Sequence, residues 1–352
     1  MQMNRWDSFP AFDFEQWSQK VSQPIPNSED GWEQPVYVAV SDSFVMPERS
    51  IAPREEGNSW QLQQTMVSSD ELMPALMHGV AGLRLESSAI GFQMNWLEGI
   101  HLDMVDLHIA PEILDASDGS IQGLLEAGWQ GSCLYEVGGD ASREQYLIHL
   151  ERFANAPNLR IWTIGGDDFR DTGKNRVAAM VNFCQSMDDW LSWVNSSDAD
   201  AVGELSRFVW RWWSSADALE EVAALRALRA LWSRWLERNN LPFVPIWIDA
   251  VTSTSTFRNE LATDHLIDLT AATYASVVGG ADGVETLPHT GRVLDSARTP
   301  ASLRWARNIQ HLMREEAGLH RTFDPMGGSG VVDTWSANIL EKAWLEYLKS
   351  NP

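Results

Sequence analysis

The sequence predicts a (β/α)8 barrel over residues 56–352, preceded by an irregular N-terminal arm over residues 1–55. Three observations carry this expectation. From Trp60 onward, short apolar segments alternate with helical ones across short connections, the pattern of a parallel sheet covered by helices. The chain has 352 residues, enough for one such barrel with an extension. Neither a GxGxxG after a strand nor a GxxxxGK followed by Ser or Thr occurs, so a doubly wound nucleotide-binding sheet loses its best signals.

The arm carries Pro10, Pro24, Pro26, Pro35, Pro47 and Pro53, a density that forbids long helices. Its aromatic residues, among them Trp6, Phe9, Phe12, Phe14, Trp17, Trp32 and Tyr37, imply that it packs against something. Beyond it, Trp60–Met66 reads as a strand and Ser69–His78 as a helix capped by Ser69. Gly82–Leu85, Met104–Ile109, Ser132–Val137 and Leu159–Ile164 read as further strands. Asn175–Asn195 reads as a helix. Ala216–Arg238 is a stronger one, with Leu219, Val222, Leu225, Leu228, Trp232 and Trp235 on an apolar stripe. Glu220, Glu221, Arg226, Arg229, Arg234 and Glu237 are assigned to its polar face. Phe243–Asp249 reads as a strand, His265–Val278 as a helix closed by Gly279-Gly280, and Gly283–Thr286 as a short strand. Thr299-Pro300 opens a helix, Thr as N-cap and Pro at the first position, that runs to Gly318; Asp333–Lys349 closes the chain's helices.

Composition excludes several functions. Lys+Arg total 26 against 49 Asp+Glu, a net charge of −23 that repels nucleic acid and anionic lipid, so neither is an expected partner. Only Lys20, Lys174, Lys342 and Lys349 are lysines. This acidic, Lys-poor balance fits either a high-salt habitat or an Arg-favouring genome. No apolar run reaches the roughly 18 residues of a membrane span. Cys133 and Cys184 are the two cysteines, which is no disulfide framework. The N-terminus lacks a basic and an apolar signal region, so the expected compartment is the cytoplasm.

Chemistry is harder to place. After the fifth strand, Asp167, Asp168 and Asp171 crowd a loop that could hold a hard divalent cation, or simply be a solvated acidic loop. His101, Asp103, Asp106 and His108 have a ligand-like spacing. On a strand Asp106 and His108 share a face, and the simpler reading is an edge that meets solvent or a loop. No GxSxG elbow is present. Gly327-Gly-Ser-Gly330 could cradle a phosphate but reads more simply as a tight turn.

A resemblance adds what spacing does not. The stretch Ala306-Arg-Asn-Ile-Gln-His-Leu-Met-Arg-Glu-Glu316, then Asp324-Pro-Met-Gly-Gly-Ser329, then Ile339–Leu348, resembles the end of the barrel of methylmalonyl-CoA mutases. Leu225–Trp232 resembles that family's "RAAR-x-LW" helix. Ala272–Gly280 with Leu287-Pro288 resembles its "AxxGG…LP" segment, and Phe9-Pro10 with Glu15-x-Trp17 its small-subunit opening. Counted back from Gly173, the family's catalytic Tyr-His pair falls on Asp167 and Asp168. Two carboxylates cannot hydrogen-bond a thioester carbonyl as His does, and their charge opposes an anionic substrate. The family's Arg-Thr-His-Ser-Gln run falls near Asp249–Ser253 without its Arg or His. The loop after Ser329 is Gly330-Val331 where the family has Tyr-Tyr, and the family's flavodoxin-like cobalamin-binding domain finds no counterpart; Asp106-Leu-His108 is too poor a match to its Asp-x-His-x-x-Gly motif.

The resemblance therefore implies a non-catalytic, small-subunit-like barrel. It would bind no cofactor alone and pair as a heterodimer with a large chain that uses adenosylcobalamin to interconvert methylmalonyl-CoA and succinyl-CoA. The aromatic arm is the expected contact. Substrate-pocket candidates, should an acyl-CoA bind, are Asp167, Asp168, Arg170, Thr252, Ser253 and His289. Two alternatives stand: an active acyl-CoA mutase half served by a separate cobalamin-binding polypeptide, and a repurposed barrel with a metal at Asp167–Asp171.

Overall fold

Eight strands close into one parallel barrel in strict chain order. They are β1 (Gln61–Met66), β2 (Gly82–Leu85), β3 (Asp106–Ile109), β4 (Gln130–Glu136), β5 (Arg160–Ile164), β6 (Phe208–Ser214), β7 (Trp247–Thr252) and β8 (Gly283–Glu285). β8 pairs back onto β1 through Gln61–Gly283 and Gln63–Glu285, which removes both sheet edges. The helices are α1 (Leu72–Met77), α2 (Pro111–Ala116), α3 (Ser120–Glu126), α4 (Arg143–Arg152), α5 (Arg176–Asn195), α6 (Ala201–Leu205), α7 (Ala218–Arg238), α8 (His265–Val278), α9 (Pro300–His311) and α10 (Gly330–Ser350). This computed structural model describes residues 58–85, 92–116, 120–137, 143–165, 176–197, 199–254, 264–290 and 298–350. The arm, the acidic loop with Asp167, Asp168, Arg170 and Asp171, and Gly173 lie outside them. No helix among the described residues is long and apolar enough to cross a membrane.

The outer face of the barrel is aromatic. On β6, alternation sends Phe208, Trp210 and Trp212 to the helices. Phe208 meets Trp190 of α5 at 4.9 Å, and Trp210 stacks on Phe183 of α5 at 3.6 Å. The indole of Trp212 donates to Glu221 of α7 at 2.9 Å. This strand was not among the expected ones, because three Trp and an Arg in seven residues obscure the apolar run of a parallel strand. The expected strand Phe243–Asp249 is shifted to Trp247–Thr252. Pro245 has no N–H to give the ladder, so pairing with β6 starts at Trp247 opposite Val209.

Two helices need correction. Residues 69–77 form a 3-10 turn followed by the six-residue α1, and Ser68 rather than Ser69 stands at its cap without a side-chain bond. On α7, Glu221, Arg226 and Arg229 are buried rather than on a polar surface, while Leu219 is exposed. The reason is tertiary: α10 lies along α7 and covers Arg226, while Glu221 and Arg229 find their partners on the barrel side, among them the Trp212 indole and the carbonyls of Ile246 and Gly280. Arg226 reaches Asp324 through two parallel bonds of 2.9 Å and Asp333 at 2.8 Å, and Arg229 pairs with Asp282 at 2.8 Å. Glu221 pairs with Arg176 at 3.0 Å. The cap of α9 is as expected. Thr299 accepts from the Ser302 amide, Ser302 accepts from the Thr299 amide, and Pro300 sits in the first turn.

Candidate functional site

Charged and amide side chains fill the barrel axis. Alternation on β1 turns Gln61 and Gln63 inward, and on β2, β3, β7 and β8 it does the same for Arg84, for Asp106 and His108, for Trp247 and Asp249, and for Glu285. Their contacts cross the barrel. Arg84 meets Asp249 at 2.8 Å and Glu285 at 3.6 Å. Gln63 donates to Asp249 at 2.8 Å and accepts from Arg84 at 2.9 Å. The Trp247 indole adds a third bond to Asp249 at 2.7 Å. Glu285 accepts the Thr65 amide at 2.7 Å. Toward the N-terminal ends of the strands, Arg160 lies 3.6 Å from the Trp247 ring centroid and 3.7 Å from Asp106.

This corrects the edge reading of the Asp106–His108 pair. Both side chains face the axis, whereas His101 and Asp103 are exposed on the preceding loop, so the four do not converge. Among the described residues, no group of three or more His, Cys, Asp and Glu could hold a metal ion.

The network fixes the protonation of His108. Gln61 donates its amide N–H to Asp106 at 2.7 Å, which turns its carbonyl oxygen toward His108 Nε2 at 3.2 Å. A carbonyl can only accept, so Nε2 carries the proton and Nδ1 accepts from the Ser132 hydroxyl at 2.7 Å. Burial drives the His108 pKa down to about 4, against the pull of Asp249 and with the help of Arg84. For Asp249, burial pushes the carboxyl upward. Arg84, His108, Trp247 and Gln63 outweigh that and hold it well below the usual carboxylate range. A carboxylate with three donors and an imidazole with both nitrogens engaged are poor proton-transfer groups. The axis is a cross-link of charges and amides from opposite sides of the barrel.

The mouth of the barrel, at the C-terminal strand ends, holds the remaining candidates that can be placed. Thr252 is fully buried and its hydroxyl accepts the Leu287 amide at 2.9 Å, tying β7 to the segment after β8. The Ser253 amide donates to the Ser214 carbonyl at 2.7 Å. His289, two residues beyond Leu287, stacks on Trp305 at 4.8 Å, and its carbonyl accepts from His265 at 3.0 Å. Burial, then the neighbouring His265, lowers its pKa. Thr252 and His289 are thus joined through one loop, while Asp167, Asp168 and Arg170 fall outside the described residues. Gly327–Gly330 forms the turn into α10, with the Gly328 amide on Asp333 at 3.1 Å.

Sequence reasoning did not find Arg84, Asp249, Gln63 or Glu285 as a unit. A signal was present: a strand buried on both faces should read as continuous apolar residues. Leu-Arg-Leu in β2 and Ile-Asp-Ala in β7 interrupt that run with charges that must meet inside.

A family model for methylmalonyl-CoA mutase matches residues 150–350. The chain belongs to the methylmalonyl-CoA mutase family. It is similar to the methylmalonyl-CoA mutase small subunit of Streptomyces virginiae, 25% identical over 82% of this chain and 52% of that one. It is also similar to the small subunit of Propionibacterium freudenreichii subsp. shermanii, 26% identical over 57% of this chain and 32% of that one. The large subunit of Streptomyces virginiae is 28% identical over 42% of this chain and 20% of its own. The chain spans about half the length of the curated small subunits it matches most fully. The family match runs from α4 to the end of α10. It includes Asp249, Glu285 and the Arg226 cluster, and leaves Arg84 and His108 to the N-terminal half of the barrel.

Proposed function

We propose that this chain is the non-catalytic, small-subunit-like half of a heterodimeric acyl-CoA mutase. Its partner is a large chain that uses adenosylcobalamin to interconvert methylmalonyl-CoA and succinyl-CoA. The observation that carries the reading is the extent of similarity: it runs over 82% of this chain with a small subunit and over 42% with the large subunit of the same organism. Two features support it. Asp167 and Asp168 stand where the family's catalytic Tyr-His pair would fall. The axis of the barrel is filled by ion pairs and amides whose partners are one another.

The residues described do not fit a corrinoid. The one Asp-x-His sequence, Asp106-Leu-His108, has its imidazole buried and both nitrogens hydrogen-bonded, so it offers no lone pair to a metal. In this reading the cofactor belongs to the partner, and the arm residues Trp6, Phe9, Phe12, Phe14 and Trp17 form the contact. The role of the barrel is to present that surface rigidly.

The test is a tagged pull-down of the full chain from its own host, with the mass and visible spectrum of what elutes. A stoichiometric larger mutase chain with a corrinoid spectrum is the expected result. A lone chain without corrinoid overturns the reading. A free cobalamin-binding polypeptide without a second barrel would favour an active half instead.

A further inference from the structure

An apolar groove of about 330 Å³ lies between α8 and the C-terminal end of α9. Ile309 and Met313 form its floor, and Thr270, Leu312, Glu316 and Ala317 its rim. Leu312 is 51% exposed, and Ile267, one turn before Thr270 on α8, is 74% exposed. A π-helical turn, Leu312–Glu316, follows α9 and shapes one wall. Apolar side chains this exposed, beside a floor of further apolar groups, ask for a cover.

The chain itself leaves the barrel beside this groove. Asn58 is the first described residue. Its amide donates to the His320 carbonyl at 2.6 Å, and its side chain donates to the carbonyls of Val277 at 2.9 Å and Leu319 at 3.4 Å. Those carbonyls belong to the end of α8 and to the segment that begins just past Ala317, the two walls of the groove. Immediately before Asn58 the sequence holds Phe44, Val45, Met46 and Ile51, punctuated by Pro47 and Pro53. An extended chain of this length reaches about 24 Å to Ile51 and about 48 Å to Phe44. Proline disfavours helix and favours extended backbone, the form suited to a narrow groove. Of the groove's described lining residues Glu316 alone is charged, and Phe44–Ile51 carries one charge of each sign, Glu48 and Arg49, so it brings no net charge to an apolar groove.

We infer that the segment Phe44–Ile51 of this same chain occupies the groove between α8 and α9, its apolar side chains over Ile309 and Met313. This is independent of the mutase reading and leaves the distal aromatics, Phe9 to Trp17, for another contact. The docked segment would fix where the rest of the arm departs from the barrel.

Cross-linking in the full chain tests it. Both native cysteines, Cys133 and Cys184, are buried and free, and burial pushes their thiols up out of the reactive range, so introduced thiols can be read cleanly. Phe44→Cys, Met46→Cys and Ile51→Cys are each paired with Leu312→Cys. The control pairs each with Met77→Cys, which is 78% exposed on α1. At least one Leu312 pair should close an intrachain disulfide about tenfold faster than its control, because docking raises the local concentration beyond that of a tether alone. Closure no faster than the controls, or disulfides only between two chains, overturns the inference; the latter would assign the groove to a second copy. As a measurement independent of disulfide geometry, Leu312→Asp should speed proteolytic cleavage between residues 44 and 57, and an unchanged rate counts against it.

Discussion

Arg84 and Asp249 meet at 2.8 Å across the axis of the barrel, from β2 and β7, with side chains 3% and 1% exposed. The pair bridges strands that share no hydrogen bond, and Gln63 bonds to both partners. An interior built this way is destabilised more by the loss of one partner than by the loss of both.

Asp249→Ala should cost about 3–5 kcal/mol, because it removes the carboxylate nearest the buried Arg84 guanidinium and leaves the longer 3.6 Å pairing with Glu285. The double variant Arg84→Met, Asp249→Leu should recover most of that loss, since it removes both charges at similar volume. Urea unfolding of the two variants checks this. Equal losses would mean that packing, not charge, dominates the axis.

Acid should destabilise the fold through His108. Its folded pKa is about 4 against an ordinary value of 6.5. Between these two values the unfolded chain takes up a proton that the folded chain refuses, so stability rises with pH there. The contribution is complete above about pH 6.5 and declines by about 3 kcal/mol as the pH falls to about 4. Asp249, held below the ordinary carboxylate range, adds a further loss in stronger acid. His108→Gln keeps two hydrogen-bonding atoms and removes the titration. Its stability should change much less over the same window, leaving only smaller contributions such as that of His289, and a slope like that of the native chain would place the acid sensitivity elsewhere.

Gly283→Ala should destabilise by about 1–3 kcal/mol, the range for overpacking a filled interior. A Cβ at Gly283 would overlap Gln63 Nε2 and Asp249 Oδ1, both already committed to each other. Gly99→Ala provides the contrast in space, since no described residue lies within 4 Å of its Cβ position, although its φ of 82° strains any side chain. Thermal unfolding midpoints separate the two causes. A Gly283→Ala chain as stable as the native one would show that the amide of Gln63 can move aside.

Arg226→Lys should also destabilise, by about 1–3 kcal/mol, although charge is kept. The guanidinium forks onto Asp324 through Nε and Nη2 and sends Nη1 to Asp333 and Ser336. An ammonium cannot reproduce that planar fork. Hydrogen exchange should accelerate in the turn before α10 and in its first turns, where those partners lie. Loss of stability without local acceleration would argue that Arg226 acts through α7 alone.

Much of the architecture was legible before any coordinate. Gly82–Leu85 and His265–Val278 have the expected bounds, and the Thr299-Pro300 cap is present, because local chemistry sets them: a β-rich run, an amphipathic stripe, a hydroxyl before proline. The strand at Phe208–Ser214 was not legible, since its aromatic residues serve helix contacts that the local sequence does not announce. The candidate site divides in the same way. The resemblance to the mutase family drew attention to the loops after β5 and β7, and the structure places Thr252 and His289 at the mouth. It does not follow from spacing that Thr252 is buried in a bond to Leu287.

The sequence by itself determined the alternation of strands and helices, the parallel barrel expected from that alternation and the chain's length, and the family resemblance. Those follow from the period of the hydrophobic pattern and from short motifs, which are properties of neighbouring residues. Only the tertiary structure decided what the charged residues do. Arg84, Asp249 and Glu285 are separated in the chain by up to some two hundred residues, and each alone reads as a flaw in an apolar strand. Closing the barrel excludes water from its axis, and a charge there persists only if another charge or amide arrives to meet it. On α7 the same rule holds for Arg226 beneath α10 and for Arg229 against the segments that lead into β7 and β8. Polarity is written locally; whether a polar group faces solvent or a partner is set by which distant element packs over it.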